Sequence, residues 1–182
     1  HGINMRKNII LIGYMGCGKT TVGKSLAKLE SAIFLDTDER IEEKQGRSIS
    51  EIFASDSEKA FRDMETAYLK DLIRLRREGM IVSTGGGMPV RMENRELLRE
   101  LGFVVYLKAE PETVYERVKD DTKRPLLQCE DPLAKIRDMM EQRREAYEST
   151  AHYILQVDQY KQQELAEMIQ KRYGDLYEII SY

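Results

Sequence analysis

The segment Gly13–Thr20 reads GYMGCGKT, and these residue types at this spacing are the ones that hold a nucleoside triphosphate. Glycines at 13, 16 and 18 let the backbone curl its N–H groups into a nest at the start of a helix, where the helix dipole also favours negative charge. Lys19, on a solvent-facing loop, then reaches the β- and γ-phosphates, and the Thr20 hydroxyl ligates Mg²⁺. Gly16, Cys17, Gly18, Lys19, Thr20 and Thr21 form the expected nucleotide-binding stretch, with ATP as the nucleotide. The setting carries the reading: NIILI at 8–12 before the loop is a short apolar strand, and Val22, Leu26 and Leu29 after it recur at helical spacing.

Two further clusters sit at the ends of apolar runs. FLDTDERIEE places Asp36 and Asp38 two residues apart at the carboxyl end of a strand. While the chain stays extended, that spacing points both carboxylates the same way. In open α/β sheets ligands bind at the carboxyl ends of strands, so the pair should face the phosphate loop. One acid would hold the Mg²⁺ water shell and the other orient a substrate hydroxyl; a helix cap supplied by Asp38 is compatible with either. Gly85, Gly86 and Gly87 follow MIVST directly, and three glycines there let a ligand approach the backbone closely.

These residues need a scaffold, and the chain supplies one. Apolar runs at 8–12, 32–35, 80–83, 103–107 and 153–157 alternate with helical-period stretches. Strands joined by crossover helices pair in parallel and are covered on both faces, which explains runs that are apolar throughout. The expected class is α/β: a three-layer fold with a five-stranded parallel sheet flanked by helices. Phe61, Met64, Tyr68, Leu72 and Leu75 mark one long helix from Ser57 to Arg77, and Leu133, Ile136, Met140 and Tyr147 mark another over about 132–148. Residues 119–131, with mixed charges and a proline, read as a mobile lid segment. At 182 residues the chain is one domain, 1–182, with residues 1–4 before Met5 set aside as an appended remnant.

Composition excludes several alternatives. With 29 Lys+Arg against 32 Asp+Glu the net charge is −3, so no global field favours nucleic acid or an anionic membrane. No apolar run approaches the roughly 18–20 residues that cross a bilayer, and the start lacks a signal-peptide pattern. A monomer in the cytoplasm is expected, with neither nucleic acid nor membrane as a partner. Cys17 and Cys129 form no disulfide framework, and with only two histidines a structural zinc site is not expected. No Asn-Lys-x-Asp guanine-reading stretch occurs, and the length suits a compact metabolite or nucleotide kinase better than a motor or transporter ATPase.

The strings GYMGCGKT, LDTD, EKAFRDME around Arg62, STGGG before Met88, KRPLL at 123–127 and RREAY at 143–147 stand in an order that resembles the shikimate kinases. The likeness spans almost the whole chain. It implies a nucleoside-monophosphate-kinase-like fold with a lid, and transfer of the γ-phosphoryl group of ATP to the 3-hydroxyl of shikimate, a step of aromatic amino acid biosynthesis. By matching position, Asp38, Arg62, Gly86 and Arg143 would hold shikimate, flanked by Gly85 and Gly87. Arg124 in the lid would meet the ATP phosphates, joining Lys19 and Asp38 as the catalytic set. Asp36 would act through the Mg²⁺ water shell, with Thr20 on the metal itself. Arg117 and the 159–163 segment, with Gln162, match the adenine side loosely. The chain departs from the family in having Cys17 where alanine or serine is common, and in its acidic lid (Asp120, Asp121, Glu130, Asp131).

Residue patterning treats the arginines unequally. Arg143 falls in the middle of the apolar stripe of its helix, while Arg144 lies well to one side. A charge on an apolar face needs an anionic partner: a substrate carboxylate, or an internal acid. Arg62 lies off its helix stripe with Glu58 and Glu65 in pairing range, and on pattern alone is a solvated helix charge. Arg124 likewise has only the lid setting and the resemblance to raise it above a solvated loop charge. Two readings of Cys17 stay open: a thiol made reactive by the anion-holding field, or a small buried thiol filling an alanine's space. The rivals to a shikimate kinase are a gluconate- or nucleoside-monophosphate-type kinase and a non-catalytic ATP-binding module.

Overall fold

Five short runs rich in β-branched and aliphatic residues form the sheet: β1 (Asn8–Ile12), β2 (Ile33–Asp36), β3 (Met80–Ser83), β4 (Phe103–Lys108) and β5 (Tyr153–Gln156). The computed structural model describes residues 7–121 and 128–181, and within the last helix the side chains through 176. All pairings are parallel, in the order β2-β3-β1-β4-β5. In the central strand Ile10 stands between Val82 and Val104, and every residue of β1 and β3 is buried. The sequence expectation of uniformly buried runs fails only at the edges. There β2 and β5 leave Ile33 and Ile154 about half exposed, because an edge strand has a neighbour on one side only.

The helices are α1 (Lys19–Glu30), α2 (Thr37–Gln45), α3 (Ile49–Ser55), α4 (Glu58–Arg74), α5 (Met92–Leu101), α6 (Pro111–Val118), α7 (Pro132–Thr150) and α8 (Gln162–Ser181). Packed together, α1 and α8 cover one face of the sheet, while α5 lies on the other face between α4 and α7. The long helix expected over 57–77 begins after Ser57, whose hydroxyl caps the Ala60 amide, and ends at Arg74. Leu75, expected on its buried stripe, is 54% exposed, and Leu69 takes that place in the core. Pro132 opens α7 behind Asp131, which accepts from the Ala134 amide. The segment between Asp36 and Ser57 holds two short helices, α2 and α3. With α4 they enclose a small separate apolar cluster of Ile41, Ile52 and Phe61.

The topology decides where a ligand can sit. From β1 the chain crosses to β2 on one side, and from β3 it crosses back over β1 to β4 on the other. The connections after β1, β2 and β3 therefore open at the carboxyl ends of neighbouring strands, where a switch of direction leaves a crevice.

Candidate active site

The loop after β1 takes the shape its glycines permit. Gly16 (φ 74°) and Gly18 (φ 96°) are left-handed, which side chains other than glycine enter at a cost. Gly18 stands immediately before α1, so the amides of the loop and of the first turn are collected at a helix N-terminus. Lys19 is the first residue of α1. It does not project into solvent as the sequence suggested: its half-buried ammonium donates to the carbonyls of Gly13 (2.6 Å) and Tyr14 (3.0 Å) and lies 3.7 Å from Cys17 Sγ. Neutral carbonyls replace part of its hydration. On the outer side of the loop, Arg117 of α6 donates to the Gly16 carbonyl at 3.0 Å.

Asp36 and Asp38 line the same cleft, but through a different geometry from the one expected. The strand stops at Asp36 and the helix starts at Thr37, so the extended alternation never reaches Asp38. Asp36, not Asp38, is the cap: its Oδ1 accepts from the amides of Asp38 and Glu39. Asp38 thus stands in the first helical turn, its carboxyl raised to about 6, chiefly by burial and then by the neighbouring Asp36 charge, against the pull of Lys19. Its Oδ1 is buried without a hydrogen-bond partner among the described residues.

The three glycines after β3 are small for steric reasons rather than conformational ones, since none has a positive φ. A Cβ on Gly85 would stand 2.7 Å from Asp38 Oδ1, and one on Gly87 would stand 2.2 Å from an Arg62 guanidinium nitrogen. A Cβ on Gly86 would meet Arg143 Nη1 at 3.6 Å and the Met15 amide at 3.5 Å. Each glycine therefore makes room for a different neighbour that could bind a ligand. The cleft framed by Gly16, Gly18, Lys19, Thr20, Thr21, Asp36, Asp38, Gly85 and Gly86 measures about 300 Å³. A larger groove of about 460 Å³ between α2 and α4 is lined by residues such as Leu35, Arg40, Tyr68 and Leu75 and meets neither glycine loop.

Arg143 and Arg62 both reach the glycines. Arg143 is half-buried on α7, with its guanidinium 5.7 Å from the centre of the Tyr14 ring, and has no ion-pair partner among the described residues. Arg144 is exposed and pairs with Glu141 at 3.1 Å. Arg62 corrects the pattern-based reading: its side chain is only 13% exposed and pairs with Glu65 at 2.6 Å. The helical stripe misled because α4 is covered from two directions, by α2 and α3 on one side and by α5 on the other. Glu65, Thr66 and Leu69 are consequently buried beside Phe61 and Leu72. Glu65, fully buried, was not singled out as a site residue; only its position three residues from Arg62 hinted at a role. Burial raises its carboxyl to about 7 although Arg62 pulls the other way.

The remaining sequence candidates lie as follows. Cys17 is 1% exposed and packed in the core, which favours the space-filling reading over the reactive one. Gln162 is the exposed first residue of α8, and no described contact ties it to the phosphate loop. Arg124, and with it the centre of the 119–131 segment, falls outside the described residues.

A phosphate loop at a helix N-terminus, an acid pair beside it and two arginines behind a glycine turn, on a five-stranded parallel sheet, define a P-loop kinase of small molecules. The family model for shikimate kinase matches residues 15–173. A shikimate kinase of Neisseria gonorrhoeae is 45% identical over 153 residues, covering 84% of this chain and 89% of its own length. One from Burkholderia thailandensis is 42% identical over 149 residues, covering 82% and 80%. The structure of the Acinetobacter baumannii shikimate kinase in complex with shikimate superposes with a TM-score of 0.84 at 41% identity, over 93% of both chains. The chain belongs to the shikimate kinase family.

Proposed function

We propose that this chain transfers the γ-phosphoryl group of ATP to the 3-hydroxyl of shikimate, with ATP on the Gly13–Thr20 loop and the acceptor between Asp38, Arg62, Gly85–Gly87 and Arg143. The observation that supports this most is the three-glycine turn. It leaves room for Asp38, Arg143 and Arg62 at consecutive positions, which suits an acceptor with a hydroxyl at one end and a carboxylate at the other.

Phosphoryl transfer passes through a loose transition state, so positioning and positive charge matter more than strong base catalysis. Lys19 would leave its carbonyl partners for the β- and γ-phosphates, and Arg124 of the 119–131 lid would add charge from above. Asp38 would orient the acceptor hydroxyl and take its proton, a role suited to a carboxyl at about 6. Arg143 and Arg62 would clamp the acceptor carboxylate. Arg117 and Gln162 would border the adenine. Thr20 and Asp36, the latter through water, would hold Mg²⁺. Hydroxyl and carboxylate oxygens suit that hard cation, and the buried Asp38 Oδ1 lacks, among the described residues, a partner that a hydrated ion or an acceptor hydroxyl would supply. When bound, the ion neutralises charge on the phosphates. The enzyme would work as a single-domain monomer in the cytoplasm; no described helix is long and apolar enough to cross a membrane.

The test is ATP consumption measured with shikimate, gluconate and AMP side by side, with Lys19→Ala as the control. Turnover with shikimate alone, lost in the variant, is expected. Turnover with gluconate or AMP in preference would overturn the substrate assignment. Even a tenth of wild-type rate in Lys19→Ala would overturn the role given to Lys19.

A further inference from the structure

Tyr147 lies on α7 one turn beyond Arg143, only 1% exposed, with its ring 5.0 Å from that of Tyr106. Packing alone would be served equally by phenylalanine there. The hydroxyl instead donates to the carbonyl of Gly86 at 2.7 Å, and the Arg143 guanidinium also acts on its oxygen. Burial pushes the phenol above its ordinary range, so it remains a neutral donor.

The glycine turn has other anchors, but they hold its ends. The Gly85 amide donates to Thr37 Oγ1 at 3.1 Å, and the Met88 amide to the Gly85 carbonyl at 3.1 Å. The Met88 carbonyl accepts from the fully buried Asn94 of α5 at 3.1 Å. Among the described hydrogen bonds, the middle carbonyl, that of Gly86, is fixed by Tyr147 alone. One hydroxyl therefore sets two things at once: the plane of the Gly86 peptide and the neighbour against which Arg143 rests.

We infer that Tyr147 is a positioning residue for the acceptor, its hydroxyl holding the Gly86 peptide and the Arg143 guanidinium in binding register without touching the substrate. The inference rests on the proposed reading that Gly86 and Arg143 face shikimate. Without the hydroxyl, the Gly86 carbonyl loses its buried partner and Arg143 gains freedom, while the ends of the turn stay anchored. A lost hydrogen bond of this kind corresponds to a change of about 3- to 10-fold in affinity.

The experiment is steady-state kinetics of Tyr147→Phe with each substrate varied in turn, alongside Arg143→Lys and thermal unfolding. Expected for Tyr147→Phe is a shikimate KM raised about 3- to 10-fold, with the ATP KM within about two-fold and a folded protein whose unfolding temperature falls by roughly 2–10 °C, the cost of the buried carbonyl left without its donor. Arg143→Lys should raise the shikimate KM more. An unchanged shikimate KM in Tyr147→Phe, or equal rises for both substrates, would overturn the inference while leaving the acceptor site standing. Failure of Tyr147→Phe to fold would also overturn it, since the hydroxyl would then serve the fold. If Arg143→Lys leaves the shikimate KM unchanged, the acceptor reading fails and takes the inference with it.

Discussion

Replacing Asp38 by asparagine should make the protein more stable and nearly inactive, and the two effects have one cause. The carboxyl is raised from 3.8 to about 6 because burial and the Asp36 charge disfavour its ionised form. A folded-state value above the unfolded one means that the fold is most favoured while Asp38 is protonated, and that this stability is lost as pH rises from about 4 through about 6. A shift of about two units corresponds to about 3 kcal/mol. Because the cleft admits solvent, about 1–2 kcal/mol is the realistic share. Asparagine keeps the shape, never ionises and gives up no hydrogen bond at Oδ1, which has none among the described residues. Urea unfolding of wild type and Asp38→Asn at pH 4 and pH 8 should show equal stabilities at the lower pH and a gain of about 1–2 kcal/mol for the variant at the higher. Turnover should drop by about 10²- to 10⁴-fold, the usual worth of a positioned base. No gain at pH 8, or the same gain at both values, would refute the claim that the ionised carboxylate is held at a cost to the fold.

Truncating Arg143 to alanine should raise the shikimate KM by tens- to thousands-fold, the effect of removing one partner of a desolvated charge pair. Arg144→Ala, which loses only a surface pair with Glu141, should change it less than about two-fold; equal effects would sink the helical-face argument. His152 accepts the Val104 amide at 2.9 Å and is lowered to about 4 by burial, with Arg99 adding to the effect. Its folded value lies below the ordinary 6.5, so its contribution is whole above pH 6.5 and falls as pH drops toward 4, by about 1–2 kcal/mol after discounting for solvent. The stability difference between wild type and His152→Gln, followed by urea unfolding across that window, measures it, and a flat difference would contradict it. Iodoacetamide should label the exposed Cys129 in the native protein and reach the buried Cys17 only on unfolding. Mass-spectrometric detection of rapid native labelling at Cys17 would restore the reactive reading.

Where the sequence could be read, a single physical rule dominated locally. A buried parallel strand must be apolar throughout, and β1, β3 and β4 were legible to within a residue. A loop that turns left-handed twice needs glycine at both places, and Gly16 and Gly18 advertise it. Arg143 stood out because a charge in the middle of an apolar stripe must have an anion to face. Legibility failed where burial came from two elements at once. Nothing along α4 says that α5 will cover Glu65 and Thr66 while α2 and α3 cover Phe61, so Arg62 read as a solvated charge. The Asp36 cap is a different failure: the choice between strand and helix at Thr37 is settled by which carboxylate captures the next amides, a local competition that alternation cannot see. Arg62 was placed at the site by family likeness alone, Asp38 by its spacing from Asp36 and by likeness together, and Glu65 by neither route.

The charges of the cleft suit a protein of net charge −3 that must attract anions. Lys19 rests on two neutral carbonyls, so an arriving phosphate displaces no carboxylate from it. Arg143 lies against an aromatic ring and a phenol and has no acid partner among the described residues. Of these three cations Arg62 is the one paired in advance, and its partner Glu65 is held near 7 by burial, where a proton is readily taken up and the pairing weakens. Lys19 and Arg143 are thus kept ordered by groups that compete weakly for them, whereas Arg62 is held by Glu65 and, at 3.6 Å, by Glu58. Such ordering is what a preorganised anion site requires, because the cost of desolvating and fixing the cation is met during folding, before the ligand arrives. Asp36 turns its carboxylate to the amides of the α2 cap. Asp38, which on the proposed reading orients the acceptor hydroxyl, carries the charge that the cleft holds at a cost.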